Sequence, residues 1–326
     1  MVCTSRYGLT RRARSPSSRG CRRTLQAAGP AAALKVVLDQ GAVGPAYVRC
    51  AEGFALAAII AAGAVAARAL SLIGALSATV EGGLVFAFGG LGVAGAMVAF
   101  FGSSSVLGRL GGKQAEEIRA RSAKGGRRDA LQVLANGGVA AACAVASAVV
   151  RAHGAEHTPL APDPWLTAAI GALAAASGDT WSTEIGALAR GPVRSVLTGR
   201  AVAPGTSGGA SLIGTLAAPL GGAFVGLIGA LLTHPHAWGW VPTALVAGLA
   251  GSAFDSLLGA SLQAVWRCEV CGRVDEDRAH RCSGGISSGP ARTLTLERGL
   301  AWMDNDSVNA LATALGAALG FTLAFV

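Results

Sequence analysis

Asp179 and Glu184 stand close together in a stretch, Ser177 to Ser211, that also carries Arg190, Arg194 and Arg200 and closes on Pro204-Gly205-Thr206-Ser207-Gly208-Gly209. A carboxylate pair suits a divalent cation or the activation of an acceptor oxygen. A guanidinium beside a glycine-rich turn suits a phosphate, because glycine lets backbone N–H groups approach an anion and an arginine fork matches its oxygens. The apolar run that follows begins a helix, whose N-terminal dipole adds to the attraction, and Thr206 and Ser207 are of the type that caps it. The expected phosphate contacts are thus Arg200, Gly205, Thr206, Ser207, Gly208 and Gly209, although the same residues also make a plain turn.

Further oxygen ligands lie elsewhere in the chain. Asn136 interrupts one apolar run and Asp255 another, while Asp304, Asn305, Asp306 and Asn309 open the last. Carboxylates and amides suit Mg²⁺, which bridges nucleotide phosphates. The expected Mg²⁺ set is Asp179, Asp255, Asp304, Asn305, Asp306 and Asn136. Asp304 to Asp306 also read as a helix cap. Asp255 stands mid-run, where no cap is needed, and ranks with Asp179 and Glu184 as a catalytic candidate. A different chemistry is spaced along 268–282: Cys268-x-x-Cys271, then His280-x-Cys282, four zinc-type ligands that could hold Zn²⁺. Unbound thiols or a redox pair fit the same residues.

The elements that must position these residues are membrane helices. Hydrophobic residues make up 52% of the chain and charged ones 14%, well below the soluble norm of roughly 25%. Apolar runs recur at the length that a bilayer core demands. We read about seven spans, near 53–79, 83–107, 130–150, 165–177, 208–232, 241–264 and 306–325, as an all-α polytopic bundle. The run 165–177 is too short to cross alone. Its helix either continues through Asp179 and Glu184 or breaks at Gly178, as helices do at many transport and binding sites. Ionisable groups at such depth are costly and mark function by default.

The net charge of +9 is uneven: residues 1–52 hold nine basic residues and two acids. That composition fits an organellar transit peptide, with a plastid possible, or a disordered basic tail. A charge confined to a tail argues against nucleic-acid binding, which wants a basic face on a folded domain. Residues 53–326 then form a single membrane domain with a Cys/His loop at 265–303. With two spans before residue 108, all basic stretches, the N-terminus included, fall on one side. No Walker-type Gly-Lys-Ser/Thr occurs, and no Ser-His-Asp order or His-Glu-x-x-His motif is present.

The stretches GDTWSTEIG and PVRSVLTGRAVAPGTSGGAS resemble the signature of the DUF92, or transmembrane protein 19, family of integral membrane proteins. FFGSSSVLGRLG, GGRRDALQVLANGG, GSAFDSLLGASLQ, CEVCG and WMDNDSVN agree with the same family. The family pattern has Lys where Arg200 stands and Asn where Ser207 stands. The resemblance implies a lipid phosphotransferase, since the plant plastid member is similar in activity to a phytyl-phosphate kinase and the wider likeness is to CTP-using polyprenol kinases. The expectation is a membrane-embedded transferase working on a membrane lipid. It would use a nucleotide triphosphate, Mg²⁺ and an isoprenoid alcohol or isoprenyl monophosphate. Intramembrane carboxylates also suit an ion-coupled transporter, and a membrane protein without catalysis is the third reading.

Overall fold

Alanine and glycine dominate the apolar runs, and the helices they form approach until backbones touch. The computed structural model describes residues 46–110, 127–154, 163–188, 191–233, 235–276 and 294–326. The helices are α1 (Ala46–Ala66), α2 (Leu72–Leu84), α3 (Gly90–Leu110), α4 (Ala130–Ala152), α5 (Pro164–Leu188), α6 (Leu212–Leu231), α7 (Trp240–Ser261) and α8 (Asn305–Leu323). A π-helical turn, Val85–Gly89, joins α2 to α3. With Leu72–Leu110 counted as one bent element, the described residues hold seven helices. Five of these are long and apolar enough to cross a membrane. The protein is a polytopic helical membrane protein. Leucines such as Leu72, Leu212, Leu216 and Leu220 face outward, as lipid contact requires.

Short polar side chains start the helices. Ser71 accepts from the Gly74 N–H, Asp129 from Gln132, Asp163 from Trp165, Ser211 from Gly214 and Asp304 from Ser307, all at 2.9–3.1 Å. The first hundred residues divide differently from the expected 53–79 and 83–107. The chain breaks at Arg68, which takes a positive φ of 58°, and Ser71 caps the next helix. Glu81 marks no boundary, because α2 turns it into the bundle against Gly137 of α4.

At Gly90, with φ of 72°, the chain turns back. Three contacts fix the ends: Leu70 pairs with Arg128 before α4, Arg109 of α3 donates to the Ala67 carbonyl at 3.0 Å, and Arg151 of α4 donates to the Phe88 carbonyl at 3.0 Å. α2 therefore runs alongside α4 and α3 runs against it. The start of α1 consequently lies at the opposite end of the bundle from Leu110, where one shared side was expected for the two; residues 1–45 and 111–126 lie outside the described residues.

α5 is the central helix, with Thr167 through Gly178 buried without interruption. It runs on through Gly178 and Glu184 as one helix of 25 residues. The glycine there serves close packing, not a break. Around it pack α3, α4, α6, α7 and α8. Phe100, Ile170, Leu173 and Val225 fill the core.

Beyond the helix ends lie two small sheets. β1 (Arg194–Ser195) pairs antiparallel with β2 (Gly209–Ala210). β3 (Val265–Cys268), β4 (Val274–Asp275) and β5 (Leu294–Arg298) form an antiparallel sheet in the order β4-β3-β5. Arg298 ties this sheet to the bundle, donating to the Ala260 and Gly259 carbonyls at 2.5 and 2.9 Å. A guanidinium there satisfies the orphan carbonyls at the end of α7.

Candidate functional site

One cavity of about 440 Å³ lies where the central helices meet the glycine-rich turn. α5 lines it with Asp179, Thr183, Gly186 and Ala187, spaced as one helix face, flanked by Thr180, Ser182 and Glu184. α4 adds Gln132 and Asn136, α7 adds Asp255 and Ser256, and α8 adds Asn305 and Asn309. Residues Pro204 to Ser211 form the wall at the helix ends. Asp179 and Asp255 are close enough to repel one another. Asp255 Oδ2 is buried with no hydrogen-bond partner among the described residues.

The glycine-rich turn is shaped by Gly205 and Gly208, with φ of 85° and 76°. Gly208 rests on Ala260 at the end of α7, where a Cβ would collide with its backbone. The turn's anion partner is internal. Glu276, just after β4, accepts from the Ser207 backbone N–H and from the Ser207 hydroxyl. Its second oxygen accepts from Gln263 Nε2 at 2.9 Å. Desolvation by burial is the main reason that the Glu276 pKa stands above its ordinary value, and Asp275 adds to the rise. Its hydrogen bonds from Ser207 and the charge of Arg298 work the other way. Behind the turn lies a second, outer cavity of about 760 Å³, lined by Ala203 to Ser207, Arg273 to Glu276, Glu297 and Arg298. The turn and Glu276 are thus the wall between the two.

Of the residues singled out from sequence, Asp179, Glu184, Asp255, Asn136, Asn305 and Gly205 to Gly209 come together in the inner cavity. Arg200 does not. The β1–β2 turn carries it outward, where it is exposed, and it lines neither cavity. Asp304 is the cap of α8, bonded to Ser307 through both its N–H and its hydroxyl. Asp306 is buried in the first turn of α8 and is not on the cavity wall.

The donor set of the inner cavity, carboxylates and amides, is of the kind Mg²⁺ takes, and the orphaned Asp255 oxygen is one that a cation would satisfy. Among the described residues no three His, Cys, Asp or Glu side chains stand together as a metal group, so amides and ligand oxygens would have to complete the shell. Cys268 and Cys271 bracket the β3–β4 turn, where the Gly272 N–H donates to the Cys268 carbonyl at 2.9 Å and Gly272 takes a φ of 71°. Cys268 is buried and Cys271 exposed. His280 and Cys282 lie outside the described residues, as do Arg190 and residues 1–45.

Among the wall residues that the sequence does not single out are Arg128, Gln263 and Glu276. Arg128 and Glu276 lie in polar connections, and Gln263 at the very end of an apolar run, so depth in a membrane singles out none of them. Arg128-Asp129, directly before a long apolar run, was the nearest thing to a signal.

Comparison with known proteins agrees with the helical architecture. Residues 55–317 match the family described as integral membrane protein DUF92. The chain belongs to this family. It is 31% identical over 227 residues to Protein PGR of Arabidopsis thaliana, covering 65% of this chain and 75% of that one. An uncharacterised membrane protein of Methanocaldococcus jannaschii is 39% identical over 94 residues, 28% of this chain and 37% of that one. No solved structure matches. In this family member the carboxylates and the glycine-rich turn are the concentrated chemistry.

Proposed function

We propose that the protein is a membrane-embedded transferase that moves a phosphoryl group from a nucleotide, CTP or another triphosphate, to an isoprenoid alcohol or isoprenyl monophosphate. One observation carries this reading: Asp179 of α5, Asp255 of α7 and the glycine-rich turn, far apart in sequence, line a single cavity at the end of the bundle. In the transfer the acceptor oxygen forms a bond to the terminal phosphorus while the bond to the bridging oxygen breaks, and a nucleoside diphosphate leaves. With an alcohol as acceptor, the proton passes to a carboxylate, Asp179 or Asp255. A monophosphate acceptor already carries an anionic oxygen and needs no base. Such chemistry depends on position and charge neutralisation more than on covalent steps. Mg²⁺, held by Asp179, Asp255 and the amides of Asn136 and Asn305, would supply that neutralisation.

Purified protein incubated with labelled CTP or ATP, Mg²⁺ and a panel of prenyl alcohols and monophosphates tests the proposal. Label transferred to a prenyl acceptor supports it; no transfer to any acceptor overturns it.

A transport reading is favoured by one separate residue. Glu81 is buried in α2 away from the cavity, and neither carboxylate oxygen has a hydrogen-bond partner among the described residues. Proton-coupled uptake into vesicles that disappears in Glu81→Gln would support transport over transfer.

A further inference from the structure

The inner cavity has a single guanidinium on its described wall, that of Arg128. Its backbone is held firmly. The Arg128 N–H donates to the Ala69 carbonyl and its carbonyl accepts from Ser71, both at 3.0 Å, and the next residue caps α4. The side chain lies over the Phe101 ring of α3, 5.6 Å from its centroid, and within electrostatic reach of Glu184. Among the described residues it makes no hydrogen bond and no ion pair. Five N–H donors in a fixed fork are thus held half-buried at the edge of a cavity without an acceptor.

The surroundings narrow the ligand. The other charged groups on the wall are the carboxylates of Asp179, Glu184, Asp255 and Glu276, so a second carboxylate-rich partner gains nothing there. A guanidinium fork matches the oxygens of a phosphate. On either side of Arg128 the neighbouring helices are lipid-facing: Val106 and Leu110 of α3 and Leu131 and Leu134 of α4 are exposed. A headgroup at Arg128 would leave an attached tail against these residues. The glycine-rich turn approaches from the α7 side, between the inner and the outer cavity.

We propose that Arg128 binds the phosphate of a membrane-borne monoester whose tail lies along α3 and α4, and that the glycine-rich turn faces the water-soluble partner. The proposal deepens the transferase reading and rests on it only for what the second partner is. Phosphate on a lipid, not free phosphate, is the ligand.

The test is equilibrium binding to the detergent-purified full chain, with a prenyl monophosphate, the prenyl alcohol of the same length, and inorganic phosphate as probes. Arg128→Ala is expected to weaken prenyl monophosphate binding about tenfold or more, the effect of losing charged hydrogen bonds, and to leave the alcohol unchanged. Arg128→Lys, which keeps the charge and loses the fork, should fall between. It also serves as the readout if the alanine variant does not fold. Undiminished monophosphate binding in both variants overturns the proposal, and so does an equal loss for the alcohol. Inorganic phosphate bound as tightly as the prenyl monophosphate overturns the lipid assignment. Arg128-dependent binding in a protein that transfers no label leaves this inference standing and removes the transferase reading.

Discussion

Gly178 of α5 and Gly248 of α7 meet backbone to backbone: a Cβ on Gly178 would lie 2.7 Å from the Gly248 Cα and would overlap its carbonyl oxygen. Gly248 in turn touches Gly222 of α6, so three helices converge on one point. Asp179 follows Gly178 directly, and Asp255 lies about two turns beyond Gly248 on the same helix. The separation of the two carboxylates is therefore tied to glycine packing beside Asp179 and two turns before Asp255.

Gly178→Ala is expected to push α5 from α7 and to cost about 1–3 kcal/mol through overpacking. Thermal unfolding in detergent measures it. Unchanged stability would show that the helices tolerate the extra methyl.

Asp179→Asn and Asp255→Asn should each lower transfer by at least about a hundredfold, the usual scale for a lost acid–base group. The folded helix content should be retained, since neutralising a desolvated acid removes a cost. Transfer at the normal rate in either variant removes that residue from the chemistry.

Glu276 supplies a pH test. Burial lifts its folded pKa above the ordinary value of 4.5, so the folded protein prefers the neutral acid. Its contribution to stability is whole below pH 4.5 and is lost as pH rises through the raised value. Glu276→Gln stays neutral throughout. The unfolding temperature of the native protein should therefore fall relative to the variant as pH rises across that window. Parallel profiles would contradict the assignment.

Arg200→Ala should change nucleotide binding by no more than about twofold, the scale of an exposed substitution. A tenfold loss in a direct binding assay would bring Arg200 back into the site against its position in the β1–β2 turn.

For the Cys268–Cys271 turn, metal analysis of protein purified without chelator should find near-stoichiometric zinc, lost in Cys271→Ser. Metal-free wild-type protein would leave the thiols without a zinc role.

The class of fold was legible because membrane burial writes itself into composition: uncharged runs of this length match the thickness of a bilayer core. Asp179 and Asp255 were legible for the same reason, as charges where charge is expensive. The course of the first hundred residues was not. Glu81 looks like a boundary in one dimension, and only the packing against Gly137 shows that it is an interior residue. The turn at Gly90 is equally silent, since glycine is common throughout these runs. Arg200 is a neighbour of the glycine-rich turn in sequence and lines neither cavity. The arginine that does line the cavity, Arg128, comes from another loop, and Glu276 reaches the turn from a strand that has no hydrophobic signature.

The reversal at Gly90 has a consequence for the bilayer as a whole. Among the described residues, Arg68, Arg109, Arg127, Arg128, Arg194, Arg200, Arg267, Arg273 and Arg298 gather at the end of the bundle that holds the cavity, while Arg49 and Arg151 stand at the other. For these residues the bias of basic side chains toward the compartment of synthesis favours the cavity end, while residues 1–45, with eight further basic side chains, lie outside the described residues. On the proposed transferase reading, a lipid headgroup at the cavity enters and leaves from one leaflet, and its other-leaflet counterparts stay invisible to the site until something else brings them across.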